Sequence, residues 1–305
     1  MRVIDLHCDT LACAEQDGRD LFRNEGQLDL ERGIRLGSWV QTFACFLPSS
    51  LRGEEAYQTF LRQRGRLLEA LERYPDTLEL YHSGIEPVSG KCTALLSVEG
   101  GTALAGKAGR VEEFKKLGVS FFTLVWNGDN ELAHGVGGEN AGLTSFGREC
   151  LAELEKWNIL PDISHLNDLG MADVFSLTEG PVLATHSNLR SVWDHPRNLT
   201  EEQFRELVRR EGLCGINYYP AFVNGGSDYE PEALRRHLER MLELGGEDIL
   251  ALGSDYDGAD MPAFLCSVEK LAVLREYVVE WYGEGLAEKL FFENARRFLE
   301  KNLRV

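Results

Sequence analysis

The chain has few of the marks that would place it outside the ordinary globular enzymes. No two of its seven cysteines form a CxxC pair, and their number is odd. That excludes a tidy disulfide framework or a cysteine zinc knuckle and leaves buried free thiols in a reducing compartment as the simplest expectation. Basic charge is also short, 32 Lys and Arg against 50 Asp and Glu, a net −18. A phosphate-backbone partner needs a basic surface, so nucleic acid is not expected. No apolar run approaches the length of a membrane span. MRVIDLHCDT enters a strand pattern at once, with no basic leader or cleavage site, so a cytoplasmic protein without membrane attachment is expected. Linkers, repeats and low-complexity stretches are missing, and no GxSxG nucleophile elbow occurs.

What is present is a pattern of five short apolar runs, each ending in a metal-seeking or proton-handling side chain. They read VIDLHCD (His7, Asp9), ALLSVE (Glu99), LPDISH (His165), PVLATH (His186) and ILALGSDYD (Asp255, Asp257). Eight strand-like runs can be marked, at about 2–8, 38–46, 92–98, 119–125, 159–164, 181–186, 213–219 and 248–254. They are apolar throughout rather than alternating, as strands buried on both faces should be. Helical patterns lie between them at 54–74, 146–157, 201–211 and 231–245, the third opened by a capping box of Thr200 and Gln203. The fold class expected is α/β, a (β/α)8 TIM-type barrel in one domain over 1–305, with a metal site at the C-terminal ends of the strands. An open doubly wound sheet gives a similar string, but it gathers ligands at one switch point rather than from all round.

Taken singly, these residues have plainer readings. An isolated HxD is more often a core histidine beside a capping aspartate, although residues two apart on a strand can share an ion. Glu99 could be a strand-end surface carboxylate, but at that depth it needs a partner. His165 and His186, 21 residues apart at consecutive strand ends, suit zinc as neutral imidazoles or could be satisfied core histidines. Asp255 and Asp257 sit in an ordinary Asp-Gly turn, with Asp255 the better placed to face a metal-bound water and Asp257 a cap for the next loop. Gly101 to Lys107 matches half of a P-loop, but Ala108 stands where a magnesium-binding hydroxyl is required, so nucleotide binding is not expected.

Together DLHCDT, SVEGG, DISH, THSN, HPRN and GSDYDG resemble the membrane (renal) dipeptidase family of zinc peptidases, peptidase family M19, among the amidohydrolase-like barrels. The motifs run from residue 4 to 258 in the family's order. The resemblance implies a zinc-dependent dipeptidase with two Zn²⁺ ions, His7 and Asp9 on the first, His165 and His186 on the second, and Glu99 bridging them. It implies a metal-bridging hydroxide as nucleophile, with Glu99 and Asp255 as the catalytic carboxylates and Asp255 in proton transfer. It also implies that Arg197 binds the substrate carboxylate, with Trp126, Asn127 and Tyr219 completing the substrate site. One departure stands out: Trp126 occupies the place after strand four where many members carry a histidine, and His134 lies a few residues on. An indole N–H can donate but not titrate. The alternatives are another binuclear metallohydrolase acting on a lactam, cyclic amide or N-acyl amino acid, and a catalytically silent barrel that binds a ligand. The expected partner is a small dipeptide, and because barrels of this kind often pair, a homodimer is a further expectation.

Overall fold

A computed structural model describes residues 1–303. Nine parallel strands appear in chain order: β1 (Arg2–Cys8), β2 (Ser38–Phe46), β3 (Leu78–Leu80), β4 (Lys91–Glu99), β5 (Val119–Thr123), β6 (Leu160–Asp162), β7 (Leu183–Ala184), β8 (Leu213–Ile216) and β9 (Leu250–Leu252). Eight close a ring in the order β1-β2-β4-β5-β6-β7-β8-β9, completed by the β2–β4 and β1–β9 pairings. This is the (β/α)8 barrel that the alternation of strand and helix patterns leads one to expect. Each of the eight expected strands is there. The ninth, β3, was not expected, because three residues reading LEL carry almost no pattern; it pairs with the first half of β4 before β5 takes over the same edge.

The barrel interior is apolar at its base. Ile4, Leu6, Val40, Leu95, Phe121, Leu160, Leu183, Leu213 and Ala251 form a plug, sealed from below by Phe292, Ala295, Phe298 and Leu299 of the C-terminal segment. With that end closed, chemistry is confined to the other. Helices sheathe the outside: in Gly53–Arg73 the positions Ala56, Phe60, Gln63, Leu67 and Ala70 face inward at helical spacing. The capping box at Thr200 and Gln203 opens Glu201–Arg209, as its sequence predicts. All seven cysteines are free, but only five are buried; Cys13 is half-buried and Cys266 exposed. The expectation of buried thiols therefore fails at those two, which lie on helix and loop segments over the barrel mouth rather than in strands. Among the described residues no helix is long and apolar enough to cross a membrane.

Candidate metal centre and substrate cavity

The five expected ligands and Asp255 converge at the C-terminal mouth of the barrel. Glu99, the last residue of β4 and 2% exposed, is the hub. Its Oε2 lies 3.4 Å from His7 Nε2, while its Oε1 lies 2.7 Å from His165 Nε2 and 3.6 Å from His186 Nε2. Asp9 Oδ2 is 3.5 Å from His7 Nε2, and Asp255 Oδ1 is 3.9 Å from it. Three overlapping sets, His7-Asp9-Glu99, Glu99-His165-His186 and His7-His186-Asp255, each hold their ligand atoms within 4.8 Å of one another.

Local backbone devices bring these side chains in. On β1 the register with β2 slips between Asp5 and Cys8, so Leu6 and His7 stand opposite Thr42 alone. Such a bulge re-aims a side chain. Leu6 joins the inner plug, His7 meets the His186 ring at 4.0 Å, and Cys8 packs in the outer layer. His165 and Asp255 adopt left-handed backbone, with φ of 70° and 65°. Residues without glycine's freedom hold such a conformation only where their surroundings enforce it, and it clusters at functional sites. Gly258 permits the next loop to come close; a Cβ there would lie 2.0 Å from Asp9 Oδ2 and 2.7 Å from Asp255 Oδ1.

Hydrogen-bond arithmetic fixes the two imidazoles. Asp162 at the end of β6 accepts from Thr123 Oγ1 (2.6 Å) and Thr185 Oγ1 (2.7 Å), and from the backbone N–H groups of Ser164 and Thr185 (both 3.0 Å). The Thr185 hydroxyl spends its proton on Asp162, so at 2.8 Å it accepts from His186 Nδ1–H. His165 Nδ1 likewise donates to Asn127 Oδ1 at 2.8 Å. Both Nε2 atoms therefore carry lone pairs, and they face each other 2.9 Å apart beside a carboxylate oxygen. Two acceptors at that distance repel unless a cation lies against them. Burial, with the Arg197 and His7 charges, holds both imidazoles well below their ordinary pKa, which keeps them neutral as ligands. Burial works the same way on His7, but Glu99 and Asp9 outweigh it and raise its pKa well above normal, so those carboxylates draw positive charge to that spot too. Burial lifts Glu99 itself to about 7. A metal cation fits this donor set.

Around the ligands lies a cavity of about 800 Å³ lined by Asp9, Glu99, His165 and Asp255, with Phe46 and Trp126 on one wall and Tyr219 and Phe222 on another. Trp126, Asn127 and Tyr219 thus all reach it, although Asn127 is also engaged in holding His165. Arg197 stands apart from the open cavity. It is 2% exposed, donates from Nη2 to His186 O at 3.4 Å, and lies 5.3 Å from the Phe222 ring. Its Nε and Nη1 have no partner. His134, weighed as a substitute for the histidine absent at 126, pairs through Nδ1 with Asp129 at 2.9 Å and does not line the cavity. Asp257 is pinned by Thr10 Oγ1 (2.7 Å) and the Gln27 N–H (2.8 Å), the loop-capping part its turn sequence suggests. Asn217, unnoticed in the sequence, donates to Asp255 Oδ2 at 3.0 Å and holds that carboxylate with its Oδ1 toward the metal ligands.

Residues 1–304 match the family model for membrane dipeptidase (peptidase family M19). The chain belongs to the membrane dipeptidase family. Membership makes it a metal-dependent dipeptidase. Among solved structures, a metallopeptidase from Rhodobacter sphaeroides, liganded with a phosphinate mimic of the dipeptide L-Ala-D-Ala, is 27% identical with a TM-score of 0.93, covering 99% of each chain. A dipeptidase AC metallopeptidase of family M19 is 29% identical with a TM-score of 0.92, covering 99% of this chain and 98% of its own. The dipeptidase tcpJ of Claviceps purpurea is 26% identical over 298 residues, 90% of this chain and 69% of the fungal one.

Proposed function

We propose that this dipeptidase binds two zinc ions, one held by His7 and Asp9 and one by His165 and His186, with Glu99 between them. The observation that carries the reading is the split of Glu99: one oxygen turned to His7, the other to the two lone-pair-bearing imidazoles. All-nitrogen-and-oxygen ligand sets of this kind suit zinc. Zinc bound there supplies a Lewis acid and brings the pKa of a water toward about 7. One barrel domain in the cytoplasm, working on dipeptides released there and pairing as a homodimer, completes the proposal.

The chain's own residues do the remaining work. Arg197 has two buried nitrogens without a partner, Nε and Nη1, and a buried guanidinium in that state calls for an anion. The C-terminal carboxylate of a dipeptide matches it in charge and shape. Phe222 and Tyr219 line the cavity on that side and are the rings such a carboxylate meets first. Asp255 keeps Oδ2 on Asn217 and has Oδ1 free to take a proton from the attacking water. It then passes that proton to the leaving nitrogen, so hydroxyl adds to the carbonyl carbon as the C–N bond breaks. Holding the substrate by its free carboxylate limits the enzyme to short peptides and contributes positioning.

Arg197→Ala separates this reading from a lactam or cyclic-amide hydrolase on the same barrel. For a dipeptide, kcat/KM falls on the order of 100-fold, the loss of two charge-assisted hydrogen bonds at about 1.5 kcal/mol each, with KM taking most of it. Unchanged kcat/KM contradicts the assignment. Thr185→Val cuts the hydroxyl relay from Asp162 to His186 and removes the partner that fixes its tautomer. Zinc affinity, read by chelator competition, drops about 10–100-fold; affinity equal to wild type would show the relay to be mere packing.

A further inference from the structure

The cavity walls are unlike one another, and a dipeptide has two side chains to distinguish. Phe46 ends β2 and Trp126 follows β5, the two strands that flank β4 and its Glu99. Their rings meet edge-on, centroids 5.0 Å apart at 76°, and the indole lies 6.3 Å from the His165 ring. Both are half-buried and face the cavity. Four strands round the ring, Tyr219 and Phe222 follow β8 and stand beside Arg197. The rim between, above β1 and β9, is polar, with the carboxylates Glu25, Asp257 and Asp260 and one cation, Arg19, which pairs with Asp17 and lies 3.4 Å from Asp257.

We infer that Phe46 and Trp126 form the receptor for the side chain of the substrate's N-terminal residue and give the enzyme a preference for a bulky apolar or aromatic group there. This rests on the proposed dipeptide reading, in which Arg197 holds the C-terminal carboxylate. With that end fixed beside β7 and β8 and the scissile carbonyl at Glu99, the N-terminal residue extends away from Arg197, toward β2, β4 and β5. Its ammonium finds Glu25 and Asp260 at that rim, Asp257 being taken up by Thr10, Gln27 and Arg19, and its side chain is left to the aromatic wall. That wall carries no charge. An indole in place of a histidine carries no charge and offers at most one N–H donor, so a carboxylate side chain there gives up more hydration than it regains. A phenyl or isobutyl group removes apolar area from water and can meet the rings in edge-to-face contact. The cavity, at about 800 Å³, leaves room for it.

The test measures kcat/KM of the zinc-loaded full-length enzyme on Phe-Ala, Leu-Ala, Asp-Ala, Ala-Ala and Ala-Phe. Phe-Ala and Leu-Ala exceed Ala-Ala by at least about tenfold, the ordinary reach of apolar side-chain discrimination, and Asp-Ala falls below it. In Trp126→Ala and in Phe46→Ala the Phe-Ala to Ala-Ala ratio collapses toward one, while Trp126→Phe and Phe46→Leu, which keep apolar surface, retain most of it. A wild-type ratio near one, a ratio that survives both alanine variants, or a collapse confined to Ala-Phe overturns the inference while leaving the dipeptidase reading intact. No turnover of any dipeptide by the zinc-loaded wild type would overturn the reading itself.

Discussion

Glu99→Gln lowers dipeptide turnover by at least about 10³-fold, the equivalent of about 4 kcal/mol of transition-state stabilisation, and leaves the protein folded with reduced bound zinc. The carboxamide is isosteric, so β4 and the pairing of Phe46 with Glu99 in the strand register are undisturbed. It presents one acceptor atom where the carboxylate presents two, and it carries no charge. Either His7 or the His165–His186 pair then faces an N–H group instead of an oxygen. The metal-free variant should melt no lower than the metal-free wild type, because burial and the neighbouring carboxylates Asp9 and Asp255 already disfavour the charge of Glu99, which is 2% exposed and lifted to a pKa of about 7. Zinc content and melting temperature measured on the same sample separate the two effects. Wild-type zinc with wild-type turnover would remove Glu99 from the centre.

Asp255→Asn lowers kcat by about 10²–10⁴-fold, as expected on loss of a general acid–base group, with zinc content close to wild type. Asparagine is the informative choice because Asp255 sits at φ 65°, a region asparagine tolerates and most side chains do not. Alanine there would mix backbone strain with chemistry. The check is kcat at saturating dipeptide alongside metal content. A near-normal kcat would mean that the proton travels elsewhere. Asp257 is then a poor second choice, since Thr10 and Gln27 hold its oxygens in the loop.

Much of this centre was legible because a barrel writes its site into its strand ends. VIDLHCD, ALLSVE, LPDISH and PVLATH each pair an apolar run, which fixes burial, with a polar terminus that burial forces to find a partner. The resemblance names five candidate ligands, and the structure brings their side chains and Asp255 together. Three kinds of feature were not legible. The bulge at Leu6–His7 and the left-handed His165 and Asp255 depend on pairing across strands, not on any local residue pattern. The supporting residues Asp162, Thr185 and Asn217 act across two or three strands; the one available signal was an aspartate and a threonine set inside otherwise apolar runs. Arg197 stands out in the sequence only through the HPRN motif, and its depth and unpartnered nitrogens come from the packing of Phe222 over it. His134 misled because nearness in sequence to Trp126 does not survive the turn that pairs it with Asp129.

The most direct test of a binuclear dipeptidase centre is zinc titration into the metal-free wild-type protein with dipeptide turnover followed at each step. Activity absent without metal, rising with added zinc and levelling at two equivalents per chain, is the predicted result. Turnover that persists after the zinc has been removed, or that saturates without any bound metal, would contradict it.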